Sequence, residues 1–501
     1  MPADREAPPD TETAPSPEPP GAAAVTAGLF LRSSGAAALS QILRVASALG
    51  AQLLLRRYVP PEDWGLFQWA MVLFLVLGAV RDLGLAHHVL RVDPRPWGNL
   101  LAVEVLWGGL LMAATLVLAP VLALLHRADP GALHPQTLGI LRCLALFLFF
   151  EGLATVPKVY LEGELRVGRA VAPELWRSLA FVAVACAMAV LGYGVWSLAV
   201  GHTASAAVYA GALWWRVRGE IPWTWHSGGT LRLLVGALPL AGIWFLGILI
   251  RQVDPLILGR RAPFADVGHY TFAFEWATLA SGLILLPAIT RVLYPALVRF
   301  GQRSREMFRA YALSTLFVLA FEVPAALFLM LNAELVVRLV GGGAWVDAPT
   351  YLRILCFVPL VDPFSRLGGE VMKALHRDRL WLAASLSTVV TLVVAGFWAV
   401  DRFGPIGMAW VRLLSPGGAL LAWGLYRVSP EGFRRFLGDL TFTYLVPVPL
   451  FAAAWWLSGG GPVAGHGDPL RFALCAAAGV LSILVAARRF GGDFMAFFRP
   501  S

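Results

Sequence analysis

Runs of about twenty apolar residues recur along nearly the whole chain, separated by short polar segments. A run of that length crosses the hydrocarbon core of a bilayer as an α-helix. Inside hydrocarbon every backbone N–H and C=O must be paired within the chain, which leaves helices as the fold for such runs. The composition agrees: of 501 residues, 58% are hydrophobic and only 14% charged, against about 25% charged in a soluble domain. The expected fold class is an all-α polytopic membrane protein with about 14 transmembrane helices. The expected spans are 33–55, 66–86, 98–125, 138–159, 171–191, 194–215, 235–258, 268–290, 308–331, 351–372, 380–400, 405–427, 440–458 and 469–487.

The connections set the orientation. Counting spans from an inside N-terminus, the odd connections hold Arg56, Arg57, Arg127, Arg260, Arg261, Arg338 and Arg402. The even connections hold more than twice as many basic residues, among them Arg91, Arg95, Lys158, Arg166, Arg169, Arg299, Arg303, Arg377 and Arg435. Basic residues concentrate on the cytoplasmic side, so both termini are expected in the cytoplasm and the protein in the bacterial cytoplasmic membrane. The net charge of +9 is topological on this reading. No Lys/Arg block or soluble domain is present to bind nucleic acid. Residues 1–27 form a Pro/Glu/Ala tail that cannot bury a core and lacks the basic start and apolar centre of a cleavable signal. Cys143, Cys186, Cys356 and Cys475 lie inside apolar spans with neither metal nor disulfide spacing.

A polar turn occurs twice. "RRYVPPEDWGLF" begins at Arg56 and "RRAPFADVGHYTF" at Arg260. With an offset of 203 residues, Arg57, Pro60, Asp63 and Gly65 fall on Arg260, Pro263, Asp266 and Gly268, and Phe67 falls on Tyr270. The first copy joins spans 1 and 2, the second spans 7 and 8. A second echo pairs "GYGVWSLAVG" at Gly192, opening span 6, with "GPIGMAWVRL" at Gly404, opening span 12. The chain is therefore expected as two six-helix lobes related by a pseudo-twofold repeat plus an appended C-terminal helix pair. The boundaries are 1–27 for a disordered cytoplasmic tail, 28–218 and 231–427 for the lobes, 440–487 for the extra pair and 488–501 for a cytoplasmic tail. Parallel repeats of this kind are a transporter architecture with the substrate site at the repeat interface.

The same residues carry a family resemblance. "LRRYVPPEDWGLF", "VRDLGLAHHVLR", "LGYGVWSLAVG", "ALPLAGIWFLGILIRQVDPLILGR", "LYPALVRF" and "LVVRLVGGGAWVDAPTYLRILCF" resemble, in order, segments of the polysaccharide exporters, or Wzx-type oligosaccharide-lipid flippases, of the MOP superfamily. The likeness covers nearly the whole chain after residue 28, with Asp254 at the family's acidic position in the seventh helix. It implies two lobes around a central cavity, alternating access and a lipid-linked oligosaccharide, carried on polyprenyl diphosphate, as cargo. It implies surface polysaccharide assembly (O-antigen, capsule or exopolysaccharide) as the setting, with a polysaccharide polymerase or assembly machinery and membrane lipids as partners. Rival readings are a related exporter of a peptidoglycan lipid precursor or of a cation-coupled drug, and a membrane polysaccharide polymerase or ligase. The last usually needs a large outer loop, and the connections here are short.

Ionisable residues within spans cost about 3 kcal/mol or more at the bilayer centre, so they face partners or a wet cavity. Arg44, at the centre of span 1, has Ser40, Gln41, Ser47 and Ala48 as its helical neighbours; lacking an acid there, it is the best candidate for a diphosphate contact. Arg251 and Asp254 share a face of span 7 and are either a lobe-internal pair or cavity residues; Arg412 in span 12 is a further cavity candidate. Asp362, Arg366 and Glu370 follow one face of span 10 and can neutralise each other. Glu151, Glu275 and Glu322 are possible coupling carboxylates for an H+ or Na+ exchange cycle, with helix-pair hydrogen bonding as the alternative for each. The sequence shows no Walker loop, zinc signature or nucleophile elbow. No cofactor, no metal and no enzyme chemistry are expected.

Overall fold

The computed structural model describes residues 49–82, 85–90, 95–123, 136–164, 168–221, 227–279, 304–375, 377–415, 417–458 and 469–498, with isolated positions between them. All the regular structure among these residues is helical. The helices are α1 (residues 49–58), α2 (Pro61–Asp82), α3 (Leu85–Val89), α4 (Trp97–Ala123), α5 (Thr137–Gly163), α6 (Gly168–Val190), α7 (Val195–Arg216), α8 (Ser227–Arg261) and α9 (Phe264–Ala277). There follow α10 (Ser304–Leu331), α11 (Ala333–Gly341), α12 (Ala348–Leu355), α13 (Val358–Ala374), α14 (Asp378–Phe403), α15 (Pro405–Leu413), α16 (Gly417–Val428), α17 (Pro430–Leu445), α18 (Pro447–Leu457) and α19 (Pro469–Phe498). Eight stretches among the described residues are long and apolar enough to cross a membrane. The chain is a multi-pass helical membrane protein.

Several expected single spans are broken, and proline or glycine accounts for the breaks. Span 10 is divided into α12 and α13, the latter opening on Val358-Pro359. Span 12 is divided into α15 and α16, the latter opening on Gly417-Gly418. Span 13 is α17 and α18, meeting at Pro447. Proline removes a helical donor and crowds the preceding turn, so it favours a helix start over a helix interior. In the other direction, α8 has 35 residues, about 52 Å at 1.5 Å per residue, and overruns the roughly 30 Å hydrocarbon core.

Long-range polar contacts sort the connections onto two faces. On one face, Asp63 Oδ2 accepts the Val195 backbone N–H at 3.1 Å, Arg57 donates to the Leu339 carbonyl, Trp345 Nε1 donates to the Arg56 carbonyl at 2.8 Å and Arg261 meets Asp401 at 3.4 Å. These contacts gather five odd connections, and this side is here called the turn face. On the opposite face Arg95 donates to the Gly163 carbonyl, and Arg166 and Arg169 each reach Glu220 at 2.8 Å, which gathers three even connections. The Arg169 hydrogen bond, aided by Tyr160 and Arg166, holds the Glu220 carboxyl below its usual range against the opposing effect of desolvation.

The two halves meet at the turn face through contacts that come in reciprocal pairs. A Cβ on Gly65 of α2 would overlap the Phe264 carbonyl oxygen of α9, and a Cβ on Gly268 of α9 would overlap the Pro61 carbonyl oxygen of α2. Under the 203-residue offset Gly65 maps to Gly268 and Pro61 to Phe264, so each contact is the image of the other. A second pair behaves alike: Arg56 lies over the Phe272 ring, 4.3 Å from its centroid, and its image is Gly259 pressed against the Trp69 indole. Reciprocity of this kind is the mark of a twofold interface. The helices cross this closely because glycine lets two backbones approach. The largest apolar core, including Leu55, Trp64, Trp69, Val267, Phe272 and Trp345, runs across this seam.

The second echo is also structural, in a shifted register. Gly194 and Gly404 are the N-caps of α7 and α15, with φ/ψ of 52/−127° and 64/−157°. Only glycine adopts this region without strain. Gly404 is therefore the image of Gly194, two residues beyond Gly192.

Candidate functional site

The expected site residues fall into three groups. Arg44 lies outside the described residues. Arg251 is exposed on α8, makes no ion pair among the described residues, and lies within electrostatic range of Asp362 and Arg366 on α13 and of Arg412 on α15. Asp254 pairs with Arg412 instead of Arg251 and is 2% exposed.

Asp254 and Arg412 form a closed polar network within the C-terminal half. Arg412 Nη1 donates to Asp254 Oδ1 at 3.2 Å and to the Ile250 carbonyl at 2.5 Å. The Tyr270 hydroxyl donates to Asp254 Oδ2 at 2.7 Å, and the Arg412 guanidinium lies 5.1 Å from the centre of the Phe274 ring. Both carboxylate oxygens are thus occupied, as a buried charge requires. With Gly194 as the image of Gly404, the image of Arg412 is His202, and that of Tyr270 is Phe67. His202 stacks on Phe67 at 5.1 Å and packs against Phe147 and Phe181. One half places an aromatic cluster where the other places an acid, a phenol and a guanidinium.

On α13 the triplet splits. Arg366 binds Asp362 at 2.7 Å, as expected, but Glu370 binds Lys373 at 3.0 Å. A lysine one turn further on shares its face and is the nearer partner.

The three carboxylates have different surroundings. Glu151 of α5 meets Arg177 of α6 at 2.5 Å. Glu322 is 2% exposed within α10. Glu275 of α9 spans the seam: Oε2 takes a hydrogen bond from Arg56 Nη2 of α1, and Oε1 takes one from Gln68 Nε2 of α2 at 2.5 Å. Arg56 has a fully buried side chain, whereas 35% of the Glu275 side chain is exposed. Trp64, Phe272 and Trp345 surround the Arg56 guanidinium, with ring centroids at 4.5, 4.3 and 5.3 Å.

Arg56 was not among the residues expected to matter. It sits in the polar turn, where an arginine reads as a loop charge, and its partner lies 219 residues away. Arg81, near the end of span 2, was not singled out either. It is buried against Glu104 at 3.2 Å and donates to the Leu148 carbonyl and the Thr155 hydroxyl, which ties α2, α4 and α5 together. The offset gave a hint: the image of Arg56 is Gly259, so Arg56, like Glu62 with its image Ala265, lacks a charged counterpart in the other half.

Comparisons with known proteins converge on one superfamily fold. The family model described as "Polysaccharide biosynthesis protein" matches residues 54–350. The succinoglycan biosynthesis transport protein ExoT of Rhizobium meliloti (strain 1021) is 22% identical over 393 residues, 77% of each chain. Among solved structures, the lipid II flippase MurJ in an inward closed conformation superposes with a TM-score of 0.70 at 15% identity, covering 93% of this chain and all of the other. An inward-facing MATE family multidrug resistance transporter of the MOP superfamily gives a TM-score of 0.62 at 17% identity, covering 80% of this chain and 99% of the other. At such identities the structural likeness carries the fold and not the cargo.

Proposed function

We propose, on the premise that this chain belongs to the polysaccharide biosynthesis protein family, that it is a flippase. It moves an oligosaccharide linked to polyprenyl diphosphate across the cytoplasmic membrane for surface polysaccharide assembly. The turn face is the extracytoplasmic side and both termini are cytoplasmic, on the strength of the basic residues gathered at the opposite face.

The observation that carries this reading is the reciprocal seam. Two halves related by a twofold touch at one face through a short, glycine-lined crossing. Rocking one half about such a crossing opens one side while closing the other. The chemistry of the cargo supplies the reason for a protein route. A diphosphate-sugar head is polyanionic and many-hydroxyled, so its passage through hydrocarbon forfeits hydration that no lipid returns. A wet cleft lined by arginine keeps the head solvated and neutralised, while the prenyl chain stays in lipid.

The residues divide by availability. Arg251 is exposed and unpaired among the described residues, and Arg44 has no acid on its own helical face. These two carry the diphosphate contact in the proposal, since arginine binds phosphate bidentately and stays charged. Arg412 and Asp254 neutralise each other and are assigned to holding α8 against α15 beneath that contact. An H+ or Na+ gradient drives the cycle, and a polysaccharide polymerase or assembly machinery receives the cargo.

The test is reconstitution of the full chain into vesicles carrying the lipid-linked oligosaccharide in one leaflet. The readout is its exposure to an impermeant lectin on the other side. Protein-dependent exposure is expected. Exposure of a peptidoglycan lipid precursor but not of the oligosaccharide would replace this cargo with the other; exposure of neither would refute the flippase reading.

A further inference from the structure

The Arg56–Glu275 pair breaks the symmetry of the seam around it. Under the 203-residue offset the image of Arg56 is Gly259, that of Gln68 is Thr271 and that of Glu275 is Val72. At the image position the halves close without charge, Gly259 against the Trp69 indole. Tight closure therefore needs no ion pair at this crossing. A buried ion pair is also a poor source of stability, because desolvating both charges offsets most of their attraction; apolar residues of equal volume often do better. The pair is best explained by something that packing alone does not provide.

The partners are unequally accessible. Arg56 is enclosed by Trp64, Phe272 and Trp345, and Trp345 is fixed by its own hydrogen bond to the Arg56 carbonyl. Its Nη1 has no hydrogen-bond partner among the described residues. Its charge is balanced by Glu275 alone among the described acids. Glu275 stands in the seam itself, since its partners belong to the other half, and 35% of its side chain is exposed there. The acid is the partly exposed member of the pair and the base the enclosed one. Among the described residues, Arg56 of α1 is the charged group facing Glu275, and Gln68 faces it from α2 and does not titrate.

We propose that Glu275 is a proton-binding site whose loading releases the turn face. The carboxylate takes one proton from water and becomes a neutral acid; Arg56 remains protonated. Its buried charge then lacks a counter-ion, and the guanidinium gains hydration only if α1 and α2 part from α9 and Trp345. Deprotonation restores the pair and the closed seam. The proposal deepens the flippase reading by assigning the coupling ion and the gate, but its test does not depend on cargo.

Spin labels at Tyr193→Cys and Phe403→Cys, both exposed on the turn face of opposite halves, report opening by double electron–electron resonance. The full chain is reconstituted in nanodiscs, with its native cysteines replaced by alanine. In the otherwise native chain, lowering the pH from 8 to 5 should raise a longer-distance population several-fold at constant Na+. Glu275→Gln, which mimics the protonated acid, should show that population at both pH values. Arg56→Met combined with Glu275→Met removes both charges at similar volume and should stay closed at both. A pH response that survives in Glu275→Gln, a closed Glu275→Gln, or a double variant as open as the single one overturns the proposal. So does a response to Na+ at fixed pH with none to protons. If Glu275→Gln does not reconstitute, the native pH titration and the double variant decide the matter between them. Failure here leaves the lectin assay untouched, and failure of the lectin assay leaves these distances untouched.

Discussion

At the residue scale, the intramembrane charges separate into those that hold the protein together and those free to hold something else. Arg412 belongs to the first kind. Replacing it with methionine leaves Asp254 buried with Tyr270 as its side-chain donor among the described residues. Breaking a buried pair from one side costs about 3–5 kcal/mol. Arg412→Met should therefore lower the thermal unfolding midpoint in detergent markedly, and Asp254→Leu added to it should recover part of the loss. An unchanged midpoint in the single variant would contradict the structural assignment. Arg251, unpaired among the described residues, and Arg44 are proposed as the second kind. Arg251→Ala and Arg44→Ala should leave abundance and midpoint near native values while oligosaccharide transport falls at least tenfold; lysine at either position should retain part of it, having charge without the planar fork. Normal transport in stably expressed alanine variants would remove these residues from the cargo site.

At the element scale, the seam depends on the absence of side chains. A methyl group at Gly65 or Gly268 meets a carbonyl oxygen of the opposing helix, which has no rotamer through which to withdraw. Gly65→Ala and Gly268→Ala should each hold the turn face open, seen as the longer distance between the labels at positions 193 and 403 at every pH, and abolish transport in the lectin assay. A closed seam in either variant would show that α2 and α9 cross with more freedom than their geometry indicates. Asp63 provides a milder case. Its carboxylate caps α7 at Val195, a kind of contact worth about 1 kcal/mol. For its image Asp266 the equivalent helix is α15, which begins at Pro405, and proline has no N–H to cap. Asp63→Ala should destabilise the protein and Asp266→Ala should not do so by this route, a difference that thermal unfolding of the two variants would measure.

At the scale of the whole molecule, the two faces are told apart by charge. Val346 is 73% exposed at the turn face, and Arg305 lies exposed at the start of α10 on the other. In intact cells an impermeant thiol reagent should label Val346→Cys directly and Arg305→Cys only after permeabilisation. The reverse pattern would invert the protein in the membrane, and with it the direction of transport.

Local chemistry determined much of this protein from the sequence alone. Length and apolarity of the runs fixed a polytopic helical fold, because a bilayer accepts no other arrangement of runs like these. The repeated turn announced two related halves, because glycine, proline and aspartate at fixed spacing are demanded by local backbone geometry. The family resemblance was legible from the same motifs. Only the tertiary structure decided which charges are paired. Asp254 lies three residues from Arg251 yet binds Arg412, 158 residues away; Arg56 lies in the last turn of α1 beside the polar turn yet is enclosed by Phe272 and Trp345 of the opposite half together with Trp64. Helical periodicity states which residues share a face, but the partner across a helix–helix interface depends on packing that brings together residues hundreds of positions apart. The glycines showed the same division. Their recurrence was visible in the sequence, whereas their meeting across a twofold, where the halves must part, is a property of the folded pair.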